Sequence, residues 1–321
     1  MAKNGNERMR STIFTTDKEA QYDEKAKQIL GQKWVLTYIL IHTVEEFKGM
    51  KPEKVISYIE GEPYIGNVPV EPGLTNTLSK SNGTMISGLN TENSEINEGE
   101  TYFDVLFYAR TRDRASKMIL DIEAQKDEPS GYDILNRAVF YVSREISSQK
   151  NREFVKSEYN NIKQVYSIWI CMNQKKNTLE WYHLTKESRL EVKDWKGRTD
   201  LINIVMIGLA KRLPEQSEEY KMHRLLGALF SQELDAKEKI EILEKEYGIP
   251  MEEKFRKDVK EMCNLSQGIK ESGRMEGRQE GIEIGRMKEM INTEKEKQRA
   301  DELERQNARL MEVLADHGLT V

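Results

Sequence analysis

The stretch KMILDIEAQK, residues 117–126, places an Asp, a Glu and a Gln at alternate positions. In a β-strand successive side chains point to opposite faces. Met118, Leu120, Ile122 and Ala124 therefore form an apolar face, while Ile119, Asp121, Glu123 and Gln125 share the other. Next-but-one positions on a strand lie about 7 Å apart, a spacing at which two carboxylates and a carboxamide can share a cation or polarise a substrate. Asp104 stands nineteen positions before Glu123, the separation a hairpin needs to bring both carboxylates onto neighbouring strands. An acid within a segment as apolar as TYFDVLFYAR is costly to bury unless a cation or a donor meets it. The alternative is an edge strand with one wetted face, in which the acids only solvate the sheet.

Those residues need a frame, and the pattern along the chain supplies one. From Lys25 to Lys48 apolar residues recur at three- and four-residue steps (Ile29, Trp34, Tyr38, Ile41), which predicts one helix ending at Gly49 and Pro52. Residues 60–83 read as loops, and MISGLN at 85–90 as a short strand. Residues 101–110 are rich in aromatic and β-branched side chains and read as a strand carrying Asp104; the turn TRDRAS then makes an antiparallel hairpin with 117–125. A helix is expected over 132–149, with Leu135, Ala138, Tyr141 and Val142 inward. VYSIWICM (165–172) reads as a strand buried on both faces, LEWYHL (179–184) as a further strand, and LINIVMIGLAKRL (201–213) as a buried helix or the start of a strand. The expected organisation is a loose arm over 1–25, an α/β domain over 26–215, a helical extension over 216–265 and a tail over 266–321. In the tail, Gly273, Gly277, Gly281 and Gly285 recur every four residues, a row along which another backbone could approach. Beyond it Ala300, Leu303, Asn307, Leu310 and Leu314 fit two coiled-coil heptads, with Asn307 at an a position.

Composition excludes several classes. A formal net charge of −5 is not that of a protein that coats nucleic acid nonspecifically, although 50 Lys and Arg leave room for a local basic cleft. Cys171 and Cys263 are too few for a disulfide framework, which points to a reducing cytoplasm. No apolar run approaches the ~20 residues of a membrane span, and the opening MAKNGNERMRSTIF lacks a secretory signal's apolar region. A soluble protein is expected. His42, His183, His223 and His317 stand singly, without zinc-ligand spacing. There is no glycine-rich phosphate loop and no nucleophilic serine or cysteine motif.

In this order of elements the sequence resembles the PD-(D/E)XK nuclease superfamily, and more narrowly the Rpn-like nuclease family transposases of bacteria. The matching stretches are NTENSEINEGETYFDVLFYA (90–109), ILDIEAQKDEPSGYDILNRAVFYVSREISSQ (119–149) and the strand VYSIWICM, together with the glycine-punctuated tail. The resemblance implies a restriction-endonuclease-like core, a mixed central sheet flanked by helices, followed by the helical extension and coiled-coil-like tail. It implies a Mg²⁺-dependent DNA endonuclease of recombination or mobile elements, with Mn²⁺ able to substitute, in the bacterial cytoplasm and away from membranes. Asp104 and Glu123 match the two acidic positions as catalytic metal ligands, with the Ala124 backbone carbonyl a third ligand and Asp121 either a further one or a hydrogen-bonding partner of a neighbouring strand. Gln125 stands where the superfamily usually has Lys and would orient the attacking water, supplying a dipole rather than a charge; Phe103 stands where Pro precedes the first acid. Glu45 or Glu46 would add a carboxylate from the first helix. Arg137 and Arg144 would approach DNA phosphates, or else pair with neighbouring acids. Tyr132 and Tyr141 read as packing residues. The tail would make a homodimer or higher homo-oligomer. The alternative reading is a non-catalytic DNA-binding or scaffold protein that keeps the nuclease fold.

Overall fold

The computed structural model describes residues 20–65, 92–95, 99–102, 104–113, 116–191, 193 and 195–316. The expected strand at 85–90, Phe103, His317 and most of the N-terminal arm lie outside these residues. The region expected as one helix over 25–48 forms two, α1 over 20–30 and α2 over Lys33–Thr43, then a 3₁₀ turn at Glu45–Phe47. Gly31 lies at the break. A Cβ there would stand 3.0 Å from Ile65 Cδ1, so a larger residue would have to push the end of the Ile65 side chain aside. A short helix α3 (Pro52–Val55) leads into β1 (Ile59–Ile65).

Two short strands, β2 (Glu92–Glu95) and β3 (Gly99–Tyr102), pair with each other alone. The main sheet adds β4 (Val105–Arg110), β5 (Lys117–Gln125), β6 (Gln164–Gln174), β7 (Thr178–His183) and β8 (Ile202–Ala210) in the order β1-β4-β5-β6-β8-β7. The expected hairpin is present, β4 running antiparallel to β5 with Val105 opposite Ile122 and Arg110 opposite Lys117. The chain then crosses by α4 (Ile134–Ser148) to β6, which lies parallel to β5, and β8 lies parallel to β6.

The structure decides two readings left open by the sequence and corrects one. Strand β5 is third of six, and residues 118–123 are all buried; its acid face is covered rather than wetted, so the edge-strand reading fails. Residues 202–210 are a strand and not a helix. Four β-branched residues and neighbours on both sides decide a run that periodicity leaves open. Asp104 lies at a bend one residue before β4 rather than within a strand.

Helix α4 covers the face that carries Asp121 and Glu123. Its Ala138, Tyr141 and Val142 form one buried cluster with Leu106, Ile119, Val165, Trp169, Cys171 and Ile204. On the opposite side α5 (Lys221–Phe230) packs on β8, α2 packs on α5, and α6 (Ala236–Lys245) packs on α5. Asp235 caps α6 through the N–H groups of Lys237 and Glu238, and the Glu238 side chain answers to the Asp235 N–H. Residues Glu19–Ser266 form one compact unit, so α5 and α6 belong with the sheet. Helix α7 runs from Glu253 to Asp316, and from Gln267 onward it belongs to a second unit. The four tail glycines lie within α7, and a Cβ at any of them would meet nothing within 4 Å. No helix among the described residues is long and apolar enough to cross a membrane.

One packing contact invites a test. Gly208 of β8 pairs with Thr178 of β7, and a Cβ added to Gly208 would collide with Thr178 Oγ1. Gly208→Ala should therefore cost about 1–3 kcal/mol, read as a lower urea midpoint. In a Thr178→Ala background most of that cost should vanish; a cost that persists would place the strain in the backbone.

Candidate functional site

The acids converge where β5 leaves the sheet, at the carboxyl end of the parallel strands, the usual place for a ligand in an α/β sheet. Asp121 is wholly buried. Its Oδ2 accepts a hydrogen bond from Ser167 Oγ at 2.9 Å, and Ser167 Oγ in turn accepts one from Trp169 Nε1 at 2.9 Å. These pairings follow from register, since Asp121 and Ser167 face each other across the parallel β5–β6 pair. Asp121 Oδ1 is buried with no hydrogen-bond partner, which is costly in a packed sheet.

Glu123 and Asp104 are stitched to each other. Glu123 Oε1 accepts from the Asp104 N–H at 3.1 Å, while Asp104 Oδ2 accepts from the Ala124 N–H at 2.8 Å. Ala124 thus enters the site through its N–H, whereas the sequence pointed to its carbonyl.

Two cations face the acids. Lys27 of α1 places Nζ 3.0 Å from Asp104 Oδ1 and 2.8 Å from Asp23 Oδ2. Arg137 of α4 lies 3.8 Å from Glu123 Oε2 and donates to Tyr141 OH at 2.7 Å, Tyr132 OH at 3.2 Å and Gln125 Oε1 at 3.4 Å. Its guanidinium lies over the rings of Tyr141 and Trp169, 4.8 and 5.3 Å from their centroids. Tyr132 and Tyr141, expected as packing, brace Arg137 from both sides along its helix. The Gln125 amide also donates to the Asp127 carbonyl at 2.8 Å.

Other expected residues lie elsewhere. Arg144 is buried at 5 % exposure with its guanidinium over Phe140, so it offers no surface to a DNA phosphate. Glu46 accepts from the Arg112 N–H in the β4–β5 turn, and Glu45 pairs with Lys48. That turn is the far end of β5 from Glu123, about 20 Å away by strand rise. The carboxylate that the first helical region does bring near is Asp23 of α1, inside the expected arm. Asp23 and Lys27, four residues apart on one helix face, were the legible signal; their partner 77 positions later was not.

Burial pushes the carboxyls of Asp121 and Glu123 well above the usual range; the charges of Glu145 and Asp104 add to it at Asp121, where hydrogen bonds with Ser167 and Glu123 work against it, and the charges of Asp104 and Asp121 add to it at Glu123. Asp104 is also raised by burial, opposed by Lys27 and the Ala124 N–H. Burial works against the charge of Lys27, yet Asp104 and Asp23 hold its pKa above the ordinary lysine value. A carboxyl whose pKa is raised on folding binds more protons in the folded state between about pH 4 and its folded value. Stability therefore falls as pH rises through that window. His42 runs the other way, because burial lowers its pKa and its charging opposes folding at low pH. The measurement is thus a difference. In EDTA, the stability margin of Glu123→Gln over wild type should widen from pH 5.5 to pH 8 in urea unfolding; a constant margin would mean that Glu123 is ionised throughout.

Three carboxyl groups supply the hard oxygen donors a divalent cation takes, and among the described residues none of their hydrogen-bond or ion-pair partners is a sulfur or an imidazole. Among the described residues, no group of three or more His, Cys, Asp or Glu is placed so that it could hold a metal ion as it stands. Asp104 and Glu123 are engaged by N–H groups and Lys27, so cation binding requires some of these contacts to open. No family model, no curated protein and no solved structure matches this chain.

Proposed function

We propose that this protein is a Mg²⁺-dependent DNA endonuclease of the PD-(D/E)XK type, related to the Rpn-like nucleases. The observation that carries the reading is the convergence of Asp104, Asp121 and Glu123, all buried, with Lys27 and Arg137 at the carboxyl end of the parallel strands. The hairpin, the crossing helix and the parallel strand that follows support that fold type.

Asp104 and Glu123 would hold the cation, with Asp121 able to offer its free oxygen. When bound, Mg²⁺ supplies a Lewis acid that polarises a phosphoryl oxygen and favours deprotonation of water. The chain's own residues provide the rest. Arg137, held flat by two tyrosines and a tryptophan, presents a fixed guanidinium suited to a phosphate. Gln125, tied to Arg137 on the same face, can orient a water by its amide dipole but cannot donate a full charge. The two free buried cysteines agree with a cytoplasmic setting, and the open glycine row and apolar positions of α7 agree with self-association through the tail. A non-catalytic DNA-binding protein is the second reading, favoured by the Gln125 amide being turned to the Asp127 carbonyl. Supercoiled-plasmid nicking separates them. Nicking in Mg²⁺ that EDTA stops supports the enzyme, and plasmid binding without nicking supports the second reading.

A further inference from the structure

The two edges of the main sheet are built differently. Strand β1 carries Gly61 at φ +61°, Pro63 and a break in register between Glu60 and Tyr64, and its Ile65 end lies against Gly31. Proline, a bulge and cover are the devices that keep an edge from pairing with another chain. Strand β7 has none of them. Its six residues, TLEWYH, run in unbroken register with β8, contain no glycine, proline or lysine, and are all exposed. Among the described residues β8 is its one strand neighbour. Leu179 and Trp181 of β7 line a groove of about 260 Å³ with Ile41, Val44 and Glu45, which come from α2 and the turn after it.

We propose that β7 is the pairing edge for a second copy of this chain, the two β7 strands running antiparallel across a two-fold axis so that the sheet continues from one copy into the next. Pairing of this kind needs an open edge for main-chain hydrogen bonds and a recess for alternate side chains, and β7 offers both. The register follows from the side chains. A two-fold axis normal to the sheet leaves every side chain on its own face, so opposed residues are both odd or both even. Centring on Glu180 would set two carboxylates directly opposite each other, which is unfavourable. It would also draw in the Thr178 carbonyl, already taken by His223 Nε2 at 2.9 Å. Centring on Tyr182 leaves only the last residues of the strand to pair. Centring on Trp181 sets Trp181 against itself, Leu179 against His183 and Glu180 against Tyr182. Tyr182 OH already donates to Glu180 of its own chain at 2.7 Å, so the same two groups match across the axis. His183 of the second copy is then set beside the groove that carries Glu45, an acid suited to an imidazole. A second copy is favoured over an unrelated segment because β7 is its own complement, with no like charges opposed within the strand. The edge belongs to the compact unit Glu19–Ser266, apart from the tail, and its pairing does not rest on the nuclease reading.

The test is disulfide trapping and sedimentation equilibrium on the full chain. Directly opposed residues of an antiparallel pair have Cα atoms about 4.5–5.5 Å apart, within disulfide range, whereas diagonal neighbours lie about 7–8 Å apart, beyond it. An equimolar mixture of Glu180→Cys and Tyr182→Cys chains should therefore form a covalent dimer under diamide, and neither variant alone should. Cys171 and Cys263 are buried, so wild type should stay uncrosslinked. Trp181→Lys, which opposes two ammonium groups on the axis, should halve the weight-average mass of wild type, whatever the tail contributes. Val155→Lys, at an exposed apolar position outside the edge, should leave that mass unchanged. The trapping variants keep Trp181, so they decide the matter even where Trp181→Lys fails to fold. An uncrosslinked mixture of folded chains overturns the pairing, and a dimer formed by either cysteine variant alone overturns this register. A wild-type mass equal to that of Trp181→Lys at every concentration gives the edge to an extended segment of another protein and overturns self-pairing.

Discussion

Glu123→Gln should leave supercoiled plasmid intact under conditions where wild type nicks it, with a rate loss of at least about 10²–10³-fold, while folding at least as stably. The substitution is chosen for what it keeps. A carboxamide oxygen can still accept from the Asp104 N–H at the position of Oε1, so the stitch between the two segments survives. What goes is one of three carboxyl groups buried together, a group whose ionisation is opposed first by burial and then by Asp104 and Asp121. Removing it relieves repulsion, so at pH 8 in EDTA the variant should unfold at a higher urea concentration than wild type. A cation would no longer find its second acidic ligand, so Mg²⁺ should raise the wild-type melting temperature and leave the variant's almost unmoved. Full nicking by Glu123→Gln would remove Glu123 from the chemistry. Inactivity that merely accompanies unfolding would return it to the core.

The second large effect is expected at Trp169. Its side chain is fully buried, its ring meets Tyr141 edge-on at 5.4 Å, Arg137 lies over its face, and its Nε1 donates to the Ser167 hydroxyl that serves Asp121. Trp169→Ala should cost about 3–5 kcal/mol by truncation of a large aromatic in a packed cluster. Trp169→Phe is the informative partner. It keeps a ring beneath Arg137 but takes away the Ser167 donor, and about 1–2 kcal/mol of the loss should remain, the range for a stranded buried polar group. Urea unfolding of both variants gives the comparison. Equal losses for Phe and Ala would show that the indole N–H, not packing, carries the contribution.

The residues that were legible in advance are those whose signal is local. Alternation over 117–125 exposed Asp121, Glu123 and Gln125 because a strand's period is two, and the distance from Asp104 to Glu123 suited a hairpin whose register the structure realises. The mixed sheet with flanking helices was expected from the resemblance rather than from any local pattern, and the six-stranded sheet is mixed. What the pattern could not carry was context. Nothing within 117–126 says that α4 will cover the acid face, because a buried central strand and a wetted edge strand can share an alternating sequence. The run at 201–213 is apolar on every side, which erases the period that would tell helix from strand. Gly31 fell inside the run expected as one helix, where one glycine costs only about 1 kcal/mol; the Ile65 side chain that a Cβ there would crowd lies 34 positions on. Lys27 stayed hidden for the same cause. Its partner is far along the chain, and in its own stretch it read only as a polar position at the start of the helix expected over 25–48.

The reciprocal stitch between residues 104 and 123 has an evolutionary consequence. Each backbone N–H that the two acids satisfy belongs to the other acid or to its neighbour, Asp104 N–H to Glu123 and Ala124 N–H to Asp104. Losing one side-chain oxygen strands a donor in the other's segment, so a first step to a residue without an acceptor is penalised in folding even where chemistry is no longer selected. Among descendants of this chain, the two positions should keep an oxygen acceptor even in a lineage that had given up turnover, with the carboxamides as the substitutions that escape the penalty.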